Sequence, residues 1–492
     1  MKNLFALFVF TFLISPSLKC QELNYQKLDS FINKTIQEWD VPGVAVSIVQ
    51  NSEIVYQKGF GVKELKTNEK VTPQTLFYIA SASKPFTSTL SLLLLQENKL
   101  DIDIPVQNYI SDFSMVDSFA SQRVTLRDMM THRTGIAREK FFTLNNINSR
   151  KDVRHSYSLF EPAADFRTAF IYSNENFTVA GDIIAEAAGD SWENLVKSKI
   201  FVPLGMSSTL LSKNDLTGKN YAKPYIDWGT GNEPLELYDS KYLGAAGCII
   251  SNVEDLSSWI LLYLNRGKVN ENQLISKNLL AQQLSAQIPT KPLSYFPEVS
   301  FECYGIGWFL DYYRGNFHVH HGGVLYGYTS LVSFLPQKML GVAILANKNN
   351  TPATNIIEKY IYDNMLGLEV VDWNGRFKQQ EERMLAMMNE ENSEEIQYSE
   401  ISTDEANRYV GTYYCKGFGE IQIRLDNGKL LANMRDIDCE FKKIDDAKFE
   451  LYHPVEHQGW EVDFEVKKGK SVGFFVAIGI NNFKVFYKNQ TL

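Results

Sequence analysis

The sequence predicts an α/β protein of the α+β kind, an antiparallel sheet flanked by helices with an all-helical lobe, followed by a small C-terminal antiparallel β-barrel. Three observations predict it. Leu23, Leu28, Phe31, Ile32, Ile36 and Trp39 recur at helical spacing, and two strand-like runs follow, Val44–Val49 and Ile54–Gly59, joined by a polar turn at Asn51 and Ser52. Helical patterns then dominate from residue 81 to about 285, before strands return between about 300 and 346 and a helix near Asn355–Asp363 completes the unit. Composition shifts near residue 367, and beyond about 405 the pattern becomes short strands and turns. A sheet must bury one face against helices, so the first 366 residues read as a layered domain with a cleft between sheet and helical lobe.

The C-terminal strands are predicted at Tyr409–Tyr414, Glu420–Leu425, Lys429–Met434, Lys448–Tyr452, Trp460–Val466, Val472–Ile478 and Phe483–Tyr487, with Asp426-Asn427-Gly428 as a hairpin turn. About seven evenly spaced strands in fewer than a hundred residues imply a barrel. Between the two units, Arg376–Asn392 is charged and helix-prone, and Glu390–Asp404 is acidic and polar. The chain therefore divides into a leader segment at 1–20, a large α/β domain at 21–366, a helical and acidic connector at 367–404 and the barrel at 405–492.

Lys2, the apolar run Leu4–Ile14, Pro16 and Lys19-Cys20-Gln21 have the order of a secretory signal peptide: positive start, short hydrophobic core, break. Cleavage near Cys20 is the simpler reading and lipid attachment at Cys20 the alternative; either implies a secreted or periplasmic protein. The run is too short for a permanent transmembrane span, and no later segment qualifies as one. The remaining four cysteines are too few to be a disulfide framework for so long a chain.

With 492 residues, 44% hydrophobic and 22% charged, the chain can bury substantial cores. Its net charge of -9 argues against nucleic acid or an anionic membrane surface as partner. A small-molecule or peptide substrate fits better, and no cofactor is expected.

The chemistry is concentrated in Ser81-Ala82-Ser83-Lys84-Pro85-Phe86. A serine hydroxyl needs a proton acceptor within hydrogen-bond reach and a positive field where the attacked carbonyl oxygen becomes an anion. Residues three apart share a helix face, so Lys84 stands beside Ser81. Pro85 is tolerated only in a first turn, so the helix begins close to Ser81 and turns its positive end toward it. Alone, a Ser-x-x-Lys spacing is a weak signal. Two further strings follow in order: Tyr172-Ser173-Asn174, in a short loop leading into a helix, and His321-Gly322-Gly323, before a strand at Gly327–Phe334.

In these motifs the sequence resembles the serine beta-lactamase and penicillin-recognising hydrolase family, in the branch with a Tyr-x-Asn second motif that includes esterases and D-amino-acid peptidases. Val41–Val46, Thr131–Ile136, Pro203–Met206, Gly244–Gly247 and Tyr304–Trp308 also stand in family order, so the resemblance covers residues 24 to about 366. The barrel resembles the lipocalin-like domain appended to some members, with Tyr409-Val410-Gly411-Thr412-Tyr413 as its one sharp motif.

The resemblance implies a beta-lactamase/transpeptidase-like sandwich and a role for each residue. Ser81 is the nucleophile. Lys84 and Tyr172 form the proton relay, either of them being the base. Asn174 orients Lys84 and bonds a substrate amide. The backbone N–H groups of Ser81 and Val324 form the oxyanion hole, and Gly323 lets substrate lie along the strand. His321 departs from the penicillin-binding pattern, which has lysine there. An imidazole is mostly neutral at pH 7, so the departure favours ester or peptide hydrolysis over beta-lactam turnover. His318 and His320 share the face opposite His321; no Asp, Glu or Cys stands at ligand spacing beside them, so no metal site is expected. The function expected is hydrolysis of peptides, esters or amides through an acyl-enzyme. The alternative is a penicillin-binding or partner-binding member with vestigial catalysis.

Overall fold

The computed structural model describes residues 24–136, 150–159, 161–237, 243–290, 296–391, 396–415, 419–434, 437–454, 458–477 and 483–488. The segment expected to be a signal peptide, 1–20, and residues 137–149 lie outside them.

Among these residues, a nine-stranded antiparallel sheet forms the centre of the first unit. Its main strands are β1 (Gly43–Gln50), β2 (Glu53–Glu64), β3 (Val299–Tyr304), β4 (Phe309–Tyr313), β5 (Asn316–Leu325), β6 (Tyr328–Leu335) and β7 (Leu340–Ala346). They lie in the order β3-β4-β5-β6-β7-β1-β2, with two-residue strands at either edge. The N-terminal hairpin thus docks beside the last strand, Val46 opposite Ile344, which joins the two ends of the unit.

Alternation along β1 sends its side chains to two separate cores. Val44, Val46 and Ile48 meet helices α1 (Tyr25–Glu38) and α5 (Ala353–Met365), where Leu28, Ile32, Ile356 and Ile361 are fully buried. Ala45 and Val49 face the other way, toward α2 (Lys84–Gln96), α3 (Asn174–Ala188), α4 (Val253–Leu264) and the helical lobe. Even the polar residue between them is matched: Ser47 hydroxyl meets Ser257 of α4 at 2.6 Å. The expected sandwich with a helical lobe is the fold observed.

Helix α2 is buried along nearly its whole length, Phe86 stacking on Trp259 at 3.9 Å. Its buried hydroxyls are bonded within the core, Thr87 to the Ala245 carbonyl at 2.7 Å and Thr89 to the Tyr263 hydroxyl at 2.8 Å, so apolar packing and hydrogen bonds together fix the helix that follows Ser81.

The connector is more than a spacer. Helix α6 (Trp373–Glu391) is anchored at its start: Trp373 indole donates to Asp363 at 2.8 Å, and Trp39 indole donates to Asn374 at 2.9 Å. From there it runs along the cleft described below.

The C-terminal unit is a closed barrel of eight antiparallel strands: β8 (Gly411–Cys415), β9 (Gly419–Asp426), β10 (Lys429–Met434), β11 (Ile437–Asp445), β12 (Lys448–His453), β13 (Gln458–Lys467), β14 (Lys470–Ala477) and β15 (Phe483–Lys488). Strand β11 was not among those expected. Its alternation, Cys439 and Phe441 inward, is interrupted by Lys442-Lys443 and an irregular register before Asp445. The turn at Asn427-Gly428 has positive φ at both residues, 47° and 79°, as a two-residue hairpin requires. No helix among the described residues is long and apolar enough to cross a membrane.

Candidate active site

Ser81 lies in a short 3-10 turn, Ala80–Ser83, that runs directly into α2. Pro85 occupies the first turn, as its missing N–H demands. Ala80, just before the serine, is held at φ 48°, a strained conformation for a residue with a side chain.

Lys84 is fully buried, and its ammonium position is over-determined. Its Nζ donates to Asn174 Oδ1 at 2.8 Å and to the Ala246 carbonyl at 2.9 Å, and stands 3.0 Å from Ser81 Oγ. Both of the first two partners can only accept, so two hydrogens of the amine are committed to them. The third position faces the serine and carries either a hydrogen or, in the neutral amine, the lone pair. This is the geometry of a base directed at a hydroxyl.

Asn174 is the first residue of α3, with extended Ser173 as its N-cap. The preceding Tyr172 is held by His132, whose carbonyl accepts from the Ile171 N–H at 2.9 Å and whose Nδ1 accepts from the Ser173 N–H at 3.2 Å. The His132 ring packs 4.4 Å from that of Tyr172, and Lys84 Nζ lies 4.9 Å from the Tyr172 ring centre. Burial, reinforced by the Lys84 charge, holds the His132 imidazole well below its usual pKa, so it is neutral.

Strand β5 closes the site from the other side. A Cβ on Gly323 would stand 2.2 Å from the Ile79 carbonyl and 2.7 Å from the Ser81 nitrogen, so only glycine allows this approach. Gly322 is different: its nearest neighbour would be 3.4 Å away, an ordinary contact, and only the second glycine is demanded by space. Ser330 from β6 donates to the Ile79 carbonyl at 2.6 Å, tying the sheet to the turn that carries the serine. Val324 follows on β5, paired with Thr329 and 45% exposed at the cleft.

His321 is buried, with both ring nitrogens in use. Nδ1 donates to the Gly322 carbonyl at 2.7 Å, so Nε2 carries no proton and accepts from the Tyr304 hydroxyl at 3.1 Å. Burial first, then the nearby Lys84 charge, push its pKa well down. It presents no cation to a substrate.

Ser81, Tyr172, His321, Gly323 and Val324 line one cleft of about 690 Å³. Lys84 and Asn174 lie just behind, bonded to each other. The residues singled out in three distant stretches of sequence therefore converge. Three others were missed as site residues: Ala246, whose carbonyl fixes Lys84; Tyr304, which caps His321; and His132, which holds the Tyr172 loop. Each stands in a string that carries the family resemblance, but a backbone carbonyl or a ring partner across the fold leaves no trace in residue order. The cleft also contains part of the connector, since Phe377, Gln380, Met384 and Leu385 of α6 line it. The His318–His320 pair does share one face, their rings stacked at 4.7 Å, but it has acidic neighbours after all: Asp311 from β4 and Glu358 from α5 reach it across the fold.

The beta-lactamase family model matches residues 28–363, and a domain of unknown function, DUF3471, matches residues 397–492. The chain is 27% identical to unguisins hydrolase ungD' of Aspergillus campestris over 84% of this chain and 80% of that one. It is 26% identical to protein flp of Staphylococcus aureus over 68% of this chain and 65% of that one. In structure it is similar to the octameric penicillin-binding protein homologue from Pyrococcus abyssi, with a TM-score of 0.63 at 22% identity, covering 94% of this chain and 100% of that one.

Proposed function

Because the chain belongs to the beta-lactamase family of serine hydrolases, we propose that Ser81 is its nucleophile and that it hydrolyses peptides, esters or amides bearing an apolar group, through an acyl-enzyme. The observation that carries this reading is the fully buried Lys84 amine, held by Asn174 and Ala246 and pointed at Ser81 Oγ at 3.0 Å.

Ser81 Oγ attacks the carbonyl carbon while its proton passes to the Lys84–Tyr172 pair. The carbonyl oxygen becomes an anion between the backbone N–H groups of Ser81 and Val324, where donors fixed in advance cost no reorganisation. The bond to the amine or alcohol then breaks and the leaving group takes the proton. Water, deprotonated by the same pair, releases the acid and restores Ser81. Asn174 keeps Lys84 aimed through both steps.

Two features support the substrate class. His321 is neutral and capped by Tyr304, so nothing at that position selects for a carboxylate. Met384 and Leu385 of α6 are 48% and 54% exposed at the cleft, a ready contact for an apolar acyl group or side chain. The Aspergillus campestris relative named as a hydrolase supports turnover rather than binding alone. Export rests on the order of Lys2, the apolar run Leu4–Ile14 and Cys20.

A panel of para-nitrophenyl esters, D-amino-acid amides and nitrocefin tests the reading. Burst release of nitrophenol with an acyl adduct on the protein supports it; binding of penicillin with no turnover of any substrate would favour a penicillin-binding role instead.

A further inference from the structure

Next to the reaction centre, a second polar cluster is built into the sheet. His318 and His320 are two apart on β5 and project from one face. Asp311 of β4 lies opposite His318, and each of its oxygens meets an imidazole: Oδ1 with His318 Nδ1 at 2.9 Å, Oδ2 with His320 Nε2 at 3.1 Å. Glu358 of α5 takes the other nitrogen of His318, Nε2 to Oε1 at 3.1 Å. Asp311, His318 and Glu358 are all buried. The four side chains line a cavity of about 150 Å³, and His320 lines the main cleft as well.

We propose that His318 Nδ1, His320 Nε2 and one Asp311 oxygen bind a single divalent transition-metal ion, with zinc the best match to two imidazoles and a carboxylate. The ligand atoms already lie within 4.8 Å of one another. Ligands at about 2.0–2.2 Å from a tetrahedral zinc stand about 3.3–3.5 Å apart, so the two imidazoles, stacked at 4.7 Å, rotate about their side-chain bonds out of the stack to aim both nitrogens at one point. Two histidines alternating on a strand reach one ion without moving the backbone.

Glu358 is the second reason. A metal-bound imidazole characteristically donates its other N–H to a carboxylate, which fixes the tautomer and raises its basicity. His318 Nε2 and Glu358 already make that bond. Without the ion, His318 faces a carboxylate at both nitrogens and so carries two protons. Zinc replaces the proton on His318 Nδ1, which leaves to solvent, and takes His320 as the tautomer protonated on Nδ1, the proton now on Nε2 passing to that nitrogen through solvent; the two Asp311 hydrogen bonds give way to coordination. The fourth position faces the cavity and takes water. The ion thereby places positive charge beside a cleft in which His321 supplies none.

The full-length protein is stripped with chelator and titrated with zinc sulfate by calorimetry, with cobalt absorbance as a second readout. Expected are about one equivalent of zinc, a higher melting temperature with zinc, and tetrahedral cobalt bands. His320→Ala and the closer replacement His320→Gln should each weaken zinc binding by at least about a hundredfold, and whichever melts cooperatively gives the reading. His155→Ala, an exposed histidine on another helix, should leave it unchanged. Uptake below about a tenth of an equivalent by the wild-type protein, or equal affinity in a folded His320 variant, overturns the proposal.

Discussion

Gly323 backs onto Ser81 so closely that a Cβ on the glycine would stand 2.7 Å from the serine's amide nitrogen. The strand and the nucleophile's turn are therefore one rigid assembly, tied again by the Ser330 hydroxyl on Ile79. Gly323→Ala must push them apart. A displacement of about 1 Å at a reacting group costs about a hundredfold in rate, so kcat/KM for para-nitrophenyl acetate should fall by about that factor. Gly322→Ala, with room for a methyl, should stay within about threefold of wild type. Equal effects of the two substitutions would contradict the geometry.

Much of this was legible in the residue order. Ser81, Lys84 and Pro85 announce a nucleophile at a helix start because helical spacing and proline chemistry are local rules. Tyr172-Ser173-Asn174 could be placed before a helix for the same reason. What could not be read is what each partner meets across the fold. Asp311 and His318 are close in sequence only across a hairpin, and Glu358 reaches them from a helix forty residues on. The charges of Arg376–Asn392 mark a helical connector and give no sign of a cleft wall; that Met384 and Leu385 face the cleft depends on how Trp373 docks. Strand β11 escaped because paired lysines and a register shift break its alternation.

Anionic substrates should gain nothing from His321. A permanent cation would add a charge-assisted hydrogen bond worth about 1.5–3 kcal/mol, or roughly ten- to a hundredfold in specificity constant. The neutral imidazole forgoes this, so para-nitrophenyl esters should be hydrolysed well ahead of penicillins and cephalosporins. Nitrocefin turnover faster than every ester tested would contradict it.

Helix α6 should set chain-length preference. Replacing Met384 and Leu385 together by serine removes apolar contact at the cleft wall, and each buried methylene is worth about 0.8 kcal/mol. The specificity constant for an octanoate ester should drop about three- to tenfold, while that for acetate stays within about twofold. A parallel loss on both esters would show that α6 acts on the fold and not on substrate.

His132 should make the protein acid-sensitive. Its folded pKa lies well below the unfolded value of about 6.5 because of burial and then the Lys84 charge, so the unfolded chain binds the proton first. Its contribution is intact above pH 6.5 and is lost as pH falls toward the folded pKa, at up to about 1.4 kcal/mol per pH unit. Denaturant melts between pH 7 and 5 should show a shallower loss in His132→Gln than in the wild type. Identical slopes would show that His132 does not contribute to the acid sensitivity.

Activation of Ser81 by the Lys84 amine can be read out by covalent labelling. Purified protein is treated with a fluorophosphonate probe and the modified peptide is identified by mass spectrometry. One adduct is expected, on Ser81, absent from Ser81→Ala and formed at least about a hundredfold more slowly in Lys84→Ala of unchanged fold. An adduct on another residue, or undiminished labelling of folded Lys84→Ala, would contradict it.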